Sequence, residues 1–143
     1  METSVPEPTK GKILCADDEK DIRSVLGEFL GANGYEVVLA CDGEEAVAAF
    51  RQHRQELVAV VLDLRMPQKD GLQAASEIRK LSPEIPLIAL SAYLGKRECS
   101  YALTECDDAG FNAYMTKPFS AQPFLAALDE WVGKYKARRL APG

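Results

Sequence analysis

The sequence predicts a single α/β domain in which five strands and five helices alternate, a (βα)5 chain folded as a doubly wound parallel sheet. Five short aliphatic runs alternate with longer amphipathic segments along the 143 residues, which is typical of repeated strand and helix units. The central runs are continuously apolar, as in strands that helices cover on both faces. Parallel crossovers are almost always right-handed, and this favours the doubly wound arrangement.

The five expected strands are rich in Val, Ile, Leu and Ala. They are ILCA at 13–16, EVVLA at 36–40, LVAVVL at 57–62, PLIAL at 86–90 and AYMT at 113–116. Residues 1–11 hold two prolines and mostly polar neighbours, which indicates a flexible lead. We therefore expect the folded domain at 12–135 and a short basic tail at 136–143.

The segments between the strands have helical patterning. The expected helices are 20–32, 43–54, 71–81, 94–108 and 120–137. Asn33-Gly34 is a C-terminal stop for the first, Asp42 is an N-cap for the second, and Ser82-Pro83 ends the third.

Composition restricts the classes of function. With 47% hydrophobic and 27% charged residues, the chain can bury one core. A formal net charge of −5 argues against direct binding to nucleic acid or to an anionic membrane. The sequence contains no apolar run of about 18 residues and no signal-like N-terminus, so we expect a cytoplasmic protein. The four cysteines are expected to be reduced thiols, since their spacing suggests no disulfide scaffold.

Polar side chains follow four of the predicted strands, at the edge of an open α/β sheet where ligands bind. They are Asp17, Asp18 and Glu19 after the first strand, Asp63 after the third, Ser91 after the fourth and Lys117 after the fifth. Each residue alone has a simpler explanation as a helix cap, a turn residue or a surface ion-pair partner. Ionised carboxylates packed together at one edge need a neutralising cation, so the pattern predicts a metal or another positive partner.

The donor atoms indicate which metal to expect. Carboxylate and carbonyl oxygens suit Mg2+. Zinc is disfavoured, because the single histidine, His53, lies in the polar stretch FRQHRQE with no Cys or His at ligand spacing. We expect His53 to be an exposed surface residue.

These motifs together resemble the receiver domains of bacterial two-component response regulators. The resemblance spans residues 12–135 and rests on four segments at strand ends, namely Asp17-Asp18, DLRMPQKDG at 63–71, LSA at 90–92 and TKPF at 116–119. It implies a flavodoxin-like sheet with strand order 2-1-3-4-5.

The resemblance also implies the function. Asp63 would accept a phosphoryl group from a sensor histidine kinase or a histidine phosphotransfer protein, in a reaction that depends on Mg2+. The Mg2+ ligands would be Asp17, Asp18, Asp63 and the backbone carbonyl of Arg65. The chain would promote only its own phosphorylation and dephosphorylation, so we do not class it as an enzyme.

In relatives, phosphorylation changes a face made by the fourth helix, fifth strand and fifth helix (α4-β5-α5). By resemblance, Lys117 would bind the acceptor carboxylate and then the phosphoryl oxygens, through a cis Lys117-Pro118 bond. Ser91 and Tyr114 would be the switch residues. A half-buried strand aromatic is the simpler interpretation of Tyr114. The changed face would bind an unidentified downstream protein, and the chain would be a monomer or a dimer through that face.

The chain departs from the family pattern between Ser91 and Ala109, where it has about four extra residues, or one helical turn. We therefore expect a longer fourth helix or a reshaped loop before it.

Two other enzyme or cofactor classes fit poorly. A flavin- or nucleotide-binding module is disfavoured because no Gly-rich phosphate loop follows the first strand. A haloacid-dehalogenase-like phosphatase is disfavoured because it needs a second acid where Arg65 stands. The remaining alternative is a receiver-like interaction module that binds its partner independently of phosphorylation.

Overall fold

A computed structural model describes residues 10–66, 68–91, 109–116 and 120–140. The described strands form one parallel five-stranded sheet in the order β2-β1-β3-β4-β5. This order confirms the predicted doubly wound, flavodoxin-like fold. The predicted fourth helix at 94–108, the expected insertion, and Lys117 with Pro118 all lie outside the described residues.

The strands begin and end within two residues of their predicted positions. They are β1 (Gly11–Ala16), β2 (Tyr35–Ala40), β3 (Leu57–Asp63), β4 (Leu87–Ser91) and β5 (Ala113–Thr116). Asp63 and Ser91 are therefore the last residues of their strands and do not follow them. Every residue of β3 is buried, as its continuous apolar sequence predicted.

The described helices are α1 (Lys20–Ala32), α2 (Gly43–His53), α3 (Gly71–Leu81) and a C-terminal helix (Ala121–Leu140). Asp42 is the N-cap of α2, where its side chain accepts a hydrogen bond from the Glu45 backbone N–H at 2.8 Å. The helix α3 ends at Leu81, before the predicted Ser82-Pro83 stop. The C-terminal helix continues to Leu140, beyond its predicted end at 137, so residues 138–140 of the predicted tail are helical.

Two apolar layers cover the two faces of the sheet. One layer packs α2 and α3, through residues such as Phe50 and Ile78, against inward-facing strand residues including Leu14 and Leu62. The other packs α1 and the C-terminal helix, through Leu26, Leu30 and Phe124, against the alternate strand residues. Because successive strand side chains point to opposite faces, the central strands contribute to both layers.

Two cysteines belong to the described part of the chain, and both are free thiols, Cys15 buried and Cys41 half-buried. Burial raises the pKa of the Cys15 thiol, and the nearby Asp17 adds to the shift, so Cys15 stays protonated at neutral pH. His53 is half-buried and its Nδ1 lies 3.6 Å from Glu56, so the expectation of an exposed histidine was wrong. None of the described helices has the length and apolar character needed to cross a membrane.

Candidate functional site

The register of the sheet places the predicted site residues at one edge. Ala16 pairs with Ala40 in β2 and with Leu62 in β3, while Asp63 pairs with Leu90 in β4. The chain therefore delivers Asp17, the residue after Ala16, close to the end of β3. In a parallel sheet all strands end at the same edge, so these polar residues meet although they are far apart in sequence.

Three carboxylates form an acidic cluster at this edge. Asp17, Asp18 and Asp63 each offer an oxygen, and these oxygens lie within 4.8 Å of one another. Asp17 is fully buried, Asp63 is 5% exposed, and Asp18 is exposed. The structure thus brings together the three side chains that the sequence proposed as ligands, in a site that is open to solvent on the side of Asp18.

The loop between β1 and α1 is fixed by hydrogen bonds around Asp17. The Asp17 backbone N–H donates to the Ala40 carbonyl oxygen at 3.1 Å, and the Glu19 backbone N–H donates to Asp17 Oδ1 at 2.9 Å. The Arg23 guanidinium donates to the Asp17 carbonyl oxygen at 2.8 Å. Glu19 occupies the N-cap position of α1 and makes no side-chain capping bond. The N-cap residue of α1 is therefore Glu19, and the simpler explanation of Asp17 or Asp18 as its cap is wrong.

The loop that follows Asp63 is closely packed against the start of α3. The Leu64 backbone N–H donates to the Leu90 carbonyl at 3.3 Å, and the Gly71 backbone N–H donates to the Leu64 carbonyl at 3.0 Å. A Cβ added to Gly71 would overlap the Asp63 carbonyl oxygen and lie 2.8 Å from the Leu64 Cα. Glycine at this position lets α3 begin directly against the end of β3.

The same loop is held to two helices through Lys69. Its ammonium forms ion pairs with Glu77 of α3 and, at 3.7 Å, with Glu44 of α2. The hydrogen bond to Glu77 raises the pKa of the Lys69 ammonium above its usual value. A Cβ on Gly43 would overlap the Lys69 carbonyl oxygen, so α2 also begins against this loop.

The proposed switch residues lie on the neighbouring strands. Ser91 is 2% exposed at the end of β4, and its Cα pairs with that of Thr116 in β5. Tyr114 is half-buried and packs against the apolar layer of α2 and α3. The structure therefore brings Ser91 to the edge that holds the acidic cluster, whereas Lys117 lies outside the described residues.

Residues 13–129 match the family of the response regulator receiver domain. The chain belongs to this family, and it is therefore a regulatory signalling domain with a receiver fold.

Two kinds of relative illustrate the match. The transcriptional regulatory protein PdtaR of Mycobacterium tuberculosis is 38% identical over 128 residues, which cover 87% of this chain and 58% of PdtaR. The response regulator MprA of a Mycobacterium species is 37% identical over 117 residues, which cover 82% of this chain and 48% of MprA. The chain thus spans about half the length of these relatives.

A solved structure is also similar. It is the receiver domain of the sensor histidine kinase PA1611 from Pseudomonas aeruginosa, with a TM-score of 0.74 and 32% identity. The similarity covers 86% of this chain and 98% of that one. That structure has a magnesium ion coordinated in its active site cleft.

The donor set of the acidic cluster fits a divalent cation of the Mg2+ type. The three side chains supply only carboxylate oxygens, and two of them are withdrawn from water while the third faces solvent. Mg2+ binds one or two carboxylates and keeps several waters, so an open acidic cluster suits it. The three side chains thus have the chemistry and the spacing to hold a metal ion.

Sequence reasoning missed three contributors to this site. Arg23 was not singled out, because an arginine in a helical segment gives no sign that it bonds to a backbone carbonyl. Gly43 and Gly71 were only the first residues of the predicted helices 43–54 and 71–81, with no close approach expected at either. The Asp-Gly pair formed by Asp70 and Gly71 was the available signal, since glycine at the start of a helix often permits such packing.

Proposed function

We propose that this chain is a phosphoacceptor switch in which the Asp63 carboxylate receives the phosphoryl group. The observation that supports this most is the position of Asp63, buried at the end of β3 and within 4.8 Å of Asp17 and Asp18. A carboxylate held beside two others is a nucleophile in a site whose charge demands a cation. Family membership supports the same assignment.

In the proposed reaction, an Asp63 carboxylate oxygen attacks the phosphorus of a phosphohistidine. A phosphorus–oxygen bond forms, the phosphorus–nitrogen bond breaks, and the electron pair stays on the donor imidazole. Asp17, Asp18, Asp63 and the Arg65 carbonyl would hold Mg2+, which neutralises the charge of the phosphoryl oxygens. The chain's own contribution is to hold the acceptor in line by the packing of its loop against Gly71.

The proposed response to phosphorylation involves the strands next to β3. An aspartyl phosphate adds negative charge and new acceptor oxygens. Ser91, at the same edge of the sheet, would donate its hydroxyl to a phosphoryl oxygen, and Tyr114 would turn inward on the neighbouring strand. Lys117, the residue after Thr116, would pair with the phosphoryl group. These movements would change the α4-β5-α5 face of the domain.

We further propose a cytoplasmic protein whose phosphoryl donor is a sensor histidine kinase or a histidine phosphotransfer protein. The PA1611 receiver belongs to a sensor histidine kinase, and PdtaR and MprA are regulators, so both types of architecture use this domain. The changed face would bind a downstream protein partner.

The test is intact mass spectrometry after incubation with Mg2+ and acetyl phosphate or phosphoramidate at neutral pH. We expect the wild type to gain one phosphoryl group of roughly 80 Da, and Asp63→Asn to gain none. Asp70→Asn is the matched control, because it makes the same change seven residues away. Asn also caps helices well, and the Asp70 side chain caps α3 by accepting from the Gln73 backbone N–H at 2.9 Å.

Phosphorylation that needs Mg2+, persists in Asp70→Asn and is lost in Asp63→Asn would support the proposal. Equal phosphorylation of Asp63→Asn would refute the acceptor assignment. No phosphorylation of the folded wild type by either donor or by a cognate kinase would favour the interaction module that works independently of phosphorylation.

A further inference from the structure

Arg23 lies outside the acidic cluster but contacts the backbone of the loop that carries it. It lies one turn into α1, and its guanidinium donates a hydrogen bond to the Asp17 carbonyl oxygen at 2.8 Å. Its backbone N–H donates to the Glu19 carbonyl at 3.0 Å. This backbone bond is the first i→i−4 bond of the helix, so the side-chain bond is the specific contact between Arg23 and the loop that carries the acidic pair.

The carbonyl that accepts this bond belongs to the peptide joining Asp17 to Asp18. Because a peptide unit is planar, a hydrogen bond to its oxygen restrains the plane that contains the N and Cα atoms of Asp18, from which the Asp18 side chain extends. Asp17 is already held by its backbone N–H and by its Oδ1, which accepts from Glu19. Asp18 is exposed, so the orientation of this peptide helps to direct the Asp18 carboxylate toward the cluster.

The charge of Arg23 alone would have the opposite effect on a cation. A guanidinium near three carboxylates lowers their attraction for a divalent ion, since like charges repel. Two roles therefore predict opposite signs when the charge is removed. A positioning role predicts weaker cation binding, and a purely electrostatic role predicts tighter binding.

We propose that Arg23 is a positioning residue for the cation site, acting through the Asp17–Asp18 peptide. This inference rests on the proposed function of the acidic cluster and adds a residue to it. Hydrogen-bond partners that orient metal ligands typically contribute 10-fold to 100-fold to metal affinity, and the contribution of Arg23 exceeds its electrostatic repulsion of the ion.

The experiment is a calorimetric titration of Mg2+ at constant ionic strength, with no phosphoryl donor present. Arg23→Met removes the charge and the donor but keeps an unbranched side chain, and we expect its Mg2+ affinity to fall about tenfold. Arg23→Lys keeps the charge and one donor group, so its affinity should lie between those of Arg23→Met and the wild type.

Lys20→Met is the matched control, because Lys20 is an exposed cation at the start of the same helix. It loses the same charge but not the bond to the Asp17 carbonyl, and we expect slightly tighter Mg2+ binding, about twofold or less. Urea unfolding of each variant checks that the domain is folded at the titration temperature. The Glu19 amide, followed by NMR, should shift in Arg23→Met before any Mg2+ is added, since its acceptor is Asp17.

Weaker binding by Arg23→Met, partial recovery by Arg23→Lys and no loss in Lys20→Met would support the positioning role. Unchanged or tighter binding by a folded Arg23→Met would overturn it while leaving the acidic site intact. A wild-type protein that binds no Mg2+ would refute the cation site, and with it both this inference and the proposed mechanism.

Discussion

Replacing Gly71 with alanine tests whether the close approach of α3 to the end of β3 matters for both stability and function. Gly71 is the first residue of α3 and is not among the described glycines with positive φ. Alanine is therefore acceptable to the backbone, and only space opposes it. A Cβ would overlap the Asp63 carbonyl oxygen and lie 2.8 Å from the Leu64 Cα, and both are backbone atoms that cannot rotate away.

The expected magnitude comes from two opposing terms. Glycine to alanine in a helix stabilises by up to about 1 kcal/mol. Forcing a methyl group into packed backbone costs about 1–3 kcal/mol, and a backbone obstacle places Gly71→Ala at the upper end. The free energy of unfolding should therefore fall by about 2 kcal/mol. Gly133 in the C-terminal helix has no described atom within 4 Å of an added Cβ, so Gly133→Ala should raise it by about 0.5–1 kcal/mol.

The assay is urea unfolding followed by circular dichroism, with linear extrapolation of the free energy. Under conditions where the variant is folded, its initial rate of phosphorylation by acetyl phosphate should fall at least about tenfold, because displacement of the Asp63 backbone misplaces the acceptor. If Gly71→Ala and Gly133→Ala change stability in the same direction, the close packing at Gly71 does not determine the outcome and the reasoning is refuted.

Three further outcomes are expected. Tyr35→Phe removes the hydroxyl that donates to Asp129 and should lower the free energy of unfolding by about 1 kcal/mol. Burial, and then the bond to Asp129, raise the pKa of Tyr35 above its ordinary value of 10.0. Wild-type stability should therefore fall as pH rises above that value, because the unfolded chain loses the phenolic proton first. Urea unfolding should show a smaller fall in Tyr35→Phe. Asp42→Ala removes the cap of α2 and should destabilise by about 1 kcal/mol, while Asp42→Asn should not; equal losses in the two would contradict the capping role. Arg79→Met removes hydrogen bonds to three backbone carbonyls and should lower the free energy of unfolding by about 2–3 kcal/mol. A melting temperature within about 2 °C of wild type, which corresponds to roughly 0.5 kcal/mol, would contradict this expectation.

The elements that local patterning predicted well are those with strong periodicity. The continuously apolar run from Leu57 indicated a buried central strand, and every residue of β3 is buried. The helices α1 and α3 have their predicted bounds. In each case the local sequence and the tertiary packing favour the same structure, so nothing overrides the local preference.

The same patterning predicted the convergence of the acidic cluster. Asp17, Asp18 and Asp63 follow or end two strands, and parallel strands end at one edge. Sequence position therefore implied that they would meet, and the structure places their oxygens within 4.8 Å of one another. The roles of Asp63 as acceptor and of Ser91 and Tyr114 as switch residues remain predictions.

Two local features were not predicted from the sequence. The capping box of α3, in which Asp70 and Gln73 each accept the other's backbone N–H, was local and was still missed. The C-terminal helix was predicted to end at 137 but continues to Leu140, because the basic residues at its end were interpreted as part of a tail.

The sequence by itself determined the class of fold, the strand ends and the identity of the clustered carboxylates, because these depend on periodicity and on the order of elements. Only the tertiary structure decided that Arg23 bonds to the Asp17 carbonyl and that Gly43 and Gly71 admit no Cβ. These are matters of distance between backbone atoms of different segments, and no residue type specifies such a distance until the segments are packed.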